Sequence, residues 1–177
     1  LFAGCGGLSV GVQAAAQALG GRFSSVFASD IDEGALQVYS ANLLPHHSCF
    51  KPIEETIGYD FEVALTLEER RLKEQCGHVD FLIGGPPCQG HSDLNNHSRR
   101  SDPRNALYGV MGRAAAVFSP SCIIIENVLG VRHSSIGIAQ KTLEYLNDLG
   151  YRTASIMLNA ADYGVAQNRK RHFTIAT

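Results

Sequence analysis

The chain has 177 residues, 45% hydrophobic and 18% charged, which suits one α/β domain with a sizeable core. It contains no apolar run of membrane-spanning length and no visible signal peptide. Its net charge of −2 argues against a self-sufficient nucleic-acid-binding surface, because such modules are basic as a whole.

The five cysteines, Cys5, Cys49, Cys76, Cys88 and Cys122, are odd in number and widely spaced. No CxxC pair occurs, so no metal site and no disulfide framework is indicated, and a reducing intracellular compartment fits best.

In chain order, residues 1–3 read as the end of a strand, Gly4-Cys-Gly-Gly7 as a tight turn, and residues 8–19 as an Ala-rich helix closed by Gly20-Gly21. This strand, glycine turn and helix can bring backbone N–H groups against a ligand. It is not a dinucleotide fingerprint, since Ser9 stands where the third glycine belongs. The turn alone fits tight packing as well as a cofactor loop. Residues 23–29 predict a second strand ending in Asp30-Ile31-Asp32. An acid there is placed to accept from ribose hydroxyls, while the other aspartate N-caps the helix at 33–43; Asp30 is the better ribose candidate.

Residues 48–53 predict a short third strand. The stretch 58–77 is the hardest to read, with a charged surface helix at 67–75 and no evident chemistry. Residues 79–83 are a short apolar run of the buried-strand kind, stopped by Gly84-Gly85-Pro86-Pro87. Cys88 is thereby presented on a stiff loop at the carboxyl end of a strand, the edge where open α/β sheets bind ligands. A lone cysteine is more often a buried structural residue. Here, however, it follows two prolines and precedes Gln89-Gly90-His91-Ser92, which points to a nucleophile. The polar stretch 92–105 reads as a surface lid or as a merely solvated connection.

A helix at 106–118 and a strand at 122–128 follow, and the strand drives Glu126 into an apolar run. A buried, unpaired carboxylate is costly, so Glu126 serves either acid chemistry or a structural pairing with an arginine. A helix at 136–149 precedes two strands at 151–158 and 172–176. The short link between them, with Gln167-Asn-Arg-Lys-Arg171, leaves little room for a crossover helix and predicts an antiparallel pair.

With these residues in hand, the chain resembles the DNA cytosine C5-methyltransferases. Leu1-Phe-Ala-Gly-Cys-Gly-Gly7 is similar to the family's cofactor loop and Gly85-Pro-Pro-Cys-Gln-Gly90 to its catalytic loop. Glu126-Asn-Val128 and Gln167-Asn-Arg-Lys-Arg171 are similar to two further active-site motifs, in the family's order. The resemblance runs over essentially all of the chain. His91 stands where the family usually has Phe, and Lys51-Pro52-Ile53 replaces a Gly-Asp-Ile-like segment.

The resemblance implies an open, doubly wound, mostly parallel sheet of the S-adenosylmethionine-dependent methyltransferase type, with the last strand antiparallel. It implies S-adenosylmethionine as cofactor, approached by Phe2, Gly4, Gly6 and Gly7. Asp30 would hold the ribose, Ile31 would lie on the adenine, and Pro87 and Leu107 would also line the pocket. Cys88 would attack C6 of a flipped-out cytosine, with Glu126 supporting protonation at N3. Arg171 would bond the base, Arg169 would face the site and Gln167 would help shape it. The partner would be double-stranded DNA. Residues 1–177 would be one incomplete catalytic domain, completed by a C-terminal target-recognition segment in cis or in trans. The setting would be the cytoplasm of a bacterium or the nucleus of a eukaryote. The competing readings are cytosine methylation in tRNA and a thiol hydrolase or amidase built on Cys88 with His91. The latter needs a small residue where Pro86 stands and leaves Glu126 and Asp30 unexplained.

Overall fold

A computed structural model of the chain describes residues 1–87, 107–128 and 137–177. Cys88, His91, the 92–105 stretch and the first residues of the helices expected at 106 and 136 lie outside the described residues. The elements are α1 (Gly7–Ala18), β1 (Phe27–Ser29), α2 (Glu33–Leu43), β2 (His47–Cys49), α3 (Leu67–Cys76) and β3 (Phe81–Gly84). They continue with α4 (Leu107–Phe118), β4 (Cys122–Asn127), α5 (Ile138–Asp148), β5 (Thr153–Asn159) and β6 (Lys170–Ala176).

A four-stranded sheet has the order β3-β4-β6-β5, and β1 pairs with β2 alone, in parallel. In the larger sheet β3 and β4 are parallel, while β6 runs against both β4 and β5. The antiparallel pair expected at the end of the chain is therefore present. Residues 160–169 link its strands with a single 3-10 turn at Ala160–Tyr163.

Residues 1–3 are not a regular strand, because Phe2 takes a φ of 52°, which breaks the extended backbone that a strand needs. They still join the two sheets. The Leu1 backbone nitrogen donates to the Ile83 carbonyl at 2.8 Å, and the Ala3 N–H donates to the Ser29 carbonyl at 2.9 Å. The strand expected at 23–29 narrows to β1, and the one expected at 48–53 is replaced by β2, which starts earlier and ends at Cys49, with a 3-10 turn at Ile53–Glu55.

Helix α4 covers one face of β3 and β4, and α1 lies over the other face of β3. Leu82, Ile123 and Ile125 are buried beneath α4, whose Val110, Met111, Ala114 and Val117 are also buried. Phe81 and Ile83 face the other way, toward Leu8 and Val12 of α1 across a cavity of about 340 Å³. A second, smaller cluster of Ala28, Leu36, Tyr39 and Leu43 packs α2 on β1. The Tyr39 hydroxyl ties the two together, donating to Ser9 Oγ at 3.0 Å and lying 2.9 Å from Ser25 Oγ.

The stretch 58–77 is organised by a cation about fifty residues away. Arg113 on α4 is 2% exposed and uses its whole guanidinium. Its Nε and Nη2 donate to the two Glu69 carboxylate oxygens at 2.8 and 2.7 Å. Its Nη1 donates to the carbonyls of Asp60 and Val63 at 3.1 and 2.6 Å, and Nη2 donates to Ala64 at 2.9 Å. Glu69 also closes a capping box with Thr66 at the start of α3. The expected surface helix thus carries a fully buried charge pair. Burial pushes the Glu69 carboxyl up, but the bonds from Arg113 and from the Thr66 N–H, together with the charge of Arg113, hold it below the ordinary glutamate value.

A group with a depressed folded-state pKa stabilises the fold above its unfolded value, near pH 4.3 for glutamate, and that contribution is lost as pH falls through the folded value. Urea titrations should show it fading below about pH 4 in the wild type. Arg113→Met alone should cost about 3–5 kcal/mol, because it strands the Glu69 carboxylate. The double change Arg113→Met, Glu69→Leu should recover much of that loss. A double-variant loss equal to the sum of the Arg113→Met and Glu69→Leu losses would show that the pair is not coupled.

Candidate active site

Two clusters form at the carboxyl ends of strands. The first is the glycine turn after residues 1–3. Gly4 has φ 50° and Gly6 has φ 95°, backbone that glycine adopts at no steric cost. Gly6 is doubly constrained, since a Cβ there would lie 2.7 Å from Leu43 Cδ1 and 3.0 Å from Tyr39 Cδ2. Gly4 and Gly7 are different: a Cβ on either would meet no protein atom within 4 Å.

Asp30 follows β1 and is half-buried. Its carboxylate accepts from the Gly4 N–H at 2.7 Å and from the Asp32 N–H at 2.9 Å. It therefore locks the glycine turn to the end of β1. Asp32 N-caps α2, accepting from the Ala35 N–H at 3.0 Å. Of the two aspartates, Asp32 is thus the N-cap, which leaves Asp30 out of the helix start. Ile31 between them is 71% exposed, and Phe2 is half-buried against the main core.

The second cluster surrounds the loop that leaves β3. Strand alternation puts Ile123, Ile125 and Asn127 on the buried face of β4 and leaves Cys122, Ile124 and Glu126 half-exposed. Glu126 is thus at the strand's margin and not sunk in the core as its apolar neighbours implied. It is paired as well: Arg171 Nε donates to Glu126 Oε1 at 2.9 Å. The acid and the arginine of the expected site are brought into direct contact. Oε2 lies on the loop side, 3.1 Å from where a Gly85 Cβ would sit.

On the opposite face, Asn127 is 3% exposed. Its Nδ2 donates to the Pro86 carbonyl at 3.2 Å, and its Oδ1 accepts from the Val128 N–H at 2.7 Å. Pro86 is buried, and Pro87 is the last described residue before Cys88.

The remaining expected residues are more scattered. Leu107 opens α4 and packs against the main core. Gln167 and Arg169 are exposed on the link before β6, and neither is brought onto Glu126. The cavity beneath α1 has Phe2 and Gly84 in its wall but none of Gly4, Asp30 or Glu126, so it lies apart from both clusters. The sequence motifs contain Gly85 and Asn127 but give neither a role of its own. A signal was available: the β3–β4 register ends at Gly84 opposite Ile125, so the next steps set Gly85 by Glu126 and a proline by an asparagine. No group of three or more His, Cys, Asp or Glu side chains able to hold a metal ion occurs among the described residues.

Comparison with known proteins places this geometry. The chain is 47% identical to the Type II methyltransferase M1.BsuMI of Bacillus subtilis, over all of this chain and 42% of that protein. It is 38% identical to M.DdeI of Desulfomicrobium norvegicum, over 99% of this chain and 39% of that one. The chain thus spans about two fifths of the length of these curated relatives. Among solved structures it superposes on a prophage-encoded protein of E. coli, described as a DNA modification methyltransferase, with a TM-score of 0.73 and 29% identity. That match covers 99% of this chain and 44% of the other. The model of the family C-5 cytosine-specific DNA methylase matches residues 1–177 from end to end. The α/β sheet with its one reversed strand, the glycine turn locked to Asp30 and the Glu126–Arg171 pair therefore belong to a member of that family.

Proposed function

We propose that the protein carrying this chain transfers a methyl group from S-adenosylmethionine to C5 of cytosine in DNA, through a covalent bond between Cys88 and C6. The observation that carries the reading is the Glu126–Arg171 pair at the margin of the sheet, beside the Gly85-Pro86-Pro87 loop that leads into Cys88. C5 of an aromatic pyrimidine is a poor nucleophile. Addition of a thiolate at C6, with N3 neutralised, makes C5 enamine-like.

The residues present fit the cofactor. Gly4 is favoured by its φ of 50°, but neither packing nor a positive φ demands glycine at Gly7, where close approach of a small molecule to the backbone would. The Asp30 carboxylate accepts two N–H groups and keeps lone pairs for ribose hydroxyls. Exposed Ile31 offers an apolar surface to the adenine, and Phe2, Gly6, Pro87 and Leu107 complete the pocket. When bound, S-adenosylmethionine supplies an electrophilic methyl group.

The chain's own residues do the rest. Cytosine is flipped out because its C5 and C6 are out of reach in the stack. The Cys88 thiolate gives its electron pair to C6, and the ring electrons move toward N3, where Glu126 supports protonation. Arg171 holds Oε1 of Glu126, which leaves Oε2 on the loop side, and hydrogen-bonds the base. Once C5 carries the methyl group, loss of the C5 proton to a base, departure of the thiolate from C6 and return of the N3 proton to Glu126 restore the neutral ring. Arg169 faces the site from the link before β6, and Gln167 shapes it. The family description names DNA, which supports duplex DNA over tRNA as substrate. With a net charge of −2, the cations that hold the duplex lie largely in a target-recognition part outside residues 1–177.

Cys88→Ser in the full-length protein should cut methyl transfer by more than about a thousandfold while the fold persists, because a hydroxyl is far less ionised than a thiol near neutral pH. DNA containing 5-fluorocytosine should form a covalent adduct with the wild type only. Near-wild-type turnover by the variant would remove Cys88 from the mechanism.

Asp30→Ala should weaken S-adenosylmethionine binding by about 1.5–3 kcal/mol, the range for hydrogen bonds to a charged group. Asp32→Ala should leave that affinity alone and instead cost about 1 kcal/mol of stability through the lost helix cap. Calorimetry for affinity and urea titration for stability separate the two, and the opposite pattern would assign the ribose to Asp32.

A further inference from the structure

The β3–β4 ladder runs from Phe81 opposite Cys122 to Gly84 opposite Ile125. One step further, Gly85 faces Glu126, and the next step sets Pro86 by Asn127. Pro86 and Pro87 have no N–H to donate, so the backbone ladder cannot continue. A side chain takes its place. Asn127 Nδ2 donates to the Pro86 carbonyl at 3.2 Å from a position only 3% exposed. The orientation of the amide is fixed by its partners, since a carbonyl only accepts and the Val128 N–H only donates. Both ends of a buried amide are thus spent, one on the loop from β3 and one on the residue that follows β4.

Strand alternation makes this a two-sided grip. Glu126 flanks the loop on the half-exposed face, where Gly85 has no Cβ to displace it, and Asn127 holds the loop from the buried face. We propose that Asn127 is a positioning residue for methyl transfer: its amide fixes the Pro86 carbonyl and thereby the direction in which the chain enters Cys88 relative to Glu126. It touches neither cofactor nor base. The proposal rests on the reading of Cys88 as nucleophile.

The test uses the full-length protein with Asn127→Asp, which preserves volume and the acceptor for Val128 but replaces the donor to Pro86 with an oxygen. A displacement of the nucleophile of about 1 Å costs on the order of a hundredfold in rate. The expected result is a fall in kcat of about that size, with a parallel fall in the rate of adduct formation on 5-fluorocytosine DNA. KM for DNA and the calorimetric Kd for S-adenosylmethionine should stay within about twofold, since no binding contact is removed. Unchanged kcat would overturn the proposal. So would a loss of cofactor affinity or thermal stability in proportion to kcat, which marks a purely structural role. Should Asn127→Asp fold poorly, Asn127→Ser carries the same comparison. Alkylation of Cys88 by iodoacetamide, followed by peptide mass mapping, separates this proposal from the one beneath it. A wild type that forms no adduct defeats the nucleophile reading. An Asn127→Asp alkylation rate equal to the wild type's defeats the positioning of the loop, whatever the chemistry of Cys88.

Discussion

The Glu126–Arg171 ion pair depends on one strand running backwards. Because β6 is antiparallel to β4, with Glu126 opposite Phe173 and Asn127 opposite His172, Arg171 arrives just beyond the end of β4, on the face that carries Glu126. A parallel β6 would deliver a different part of its sequence to that edge. The short link between β5 and β6, too short for a crossover helix, is thus what brings a basic motif near the chain's end onto an acid forty-five residues earlier. The carboxylate in turn needs Gly85 as its neighbour, since any Cβ there would crowd Oε2.

Local patterns revealed much of this. Residues 33–43 carry their cap in the sequence, and α2 occupies the expected range. The two aspartates after β1 divide into a helix cap and a turn lock because their spacing from the helix start differs by two residues. The antiparallel finish follows from loop length alone. By contrast, the face on which Glu126 lies was hidden: a run of three isoleucines masks the period of two, and only pairing with β6 and cover from α4 decide which residues are buried.

The stretch 58–77 was opaque for a different reason. Its conformation answers to Arg113, whose guanidinium gathers three carbonyls and one carboxylate into a site with almost no solvent. No periodicity within 58–66 encodes that, because the determinant sits on α4. Glu69 resembles an ordinary surface charge in a run of Glu, Arg and Lys until its partner is known. Propensity describes what a segment does alone; this segment has little structure to describe until α4 is in place.

The join made by residues 1–3 bears on the order in which the molecule assembles. Leu1 finds its partner at Ile83, eighty-two positions later, while Ala3 waits for Ser29. Contacts of such separation form only after a long loop has been closed, with the entropic cost met before any bond is gained. Of the two links made by residues 1–3, the one to Ile83 closes the longer loop. The Ala3–Ser29 and Gly4–Asp30 bonds join positions within residues 1–30, whereas the bond to Ile83 requires β3. The glycine turn can thus be locked to β1 by local bonds before the longer loop joins it to the larger sheet.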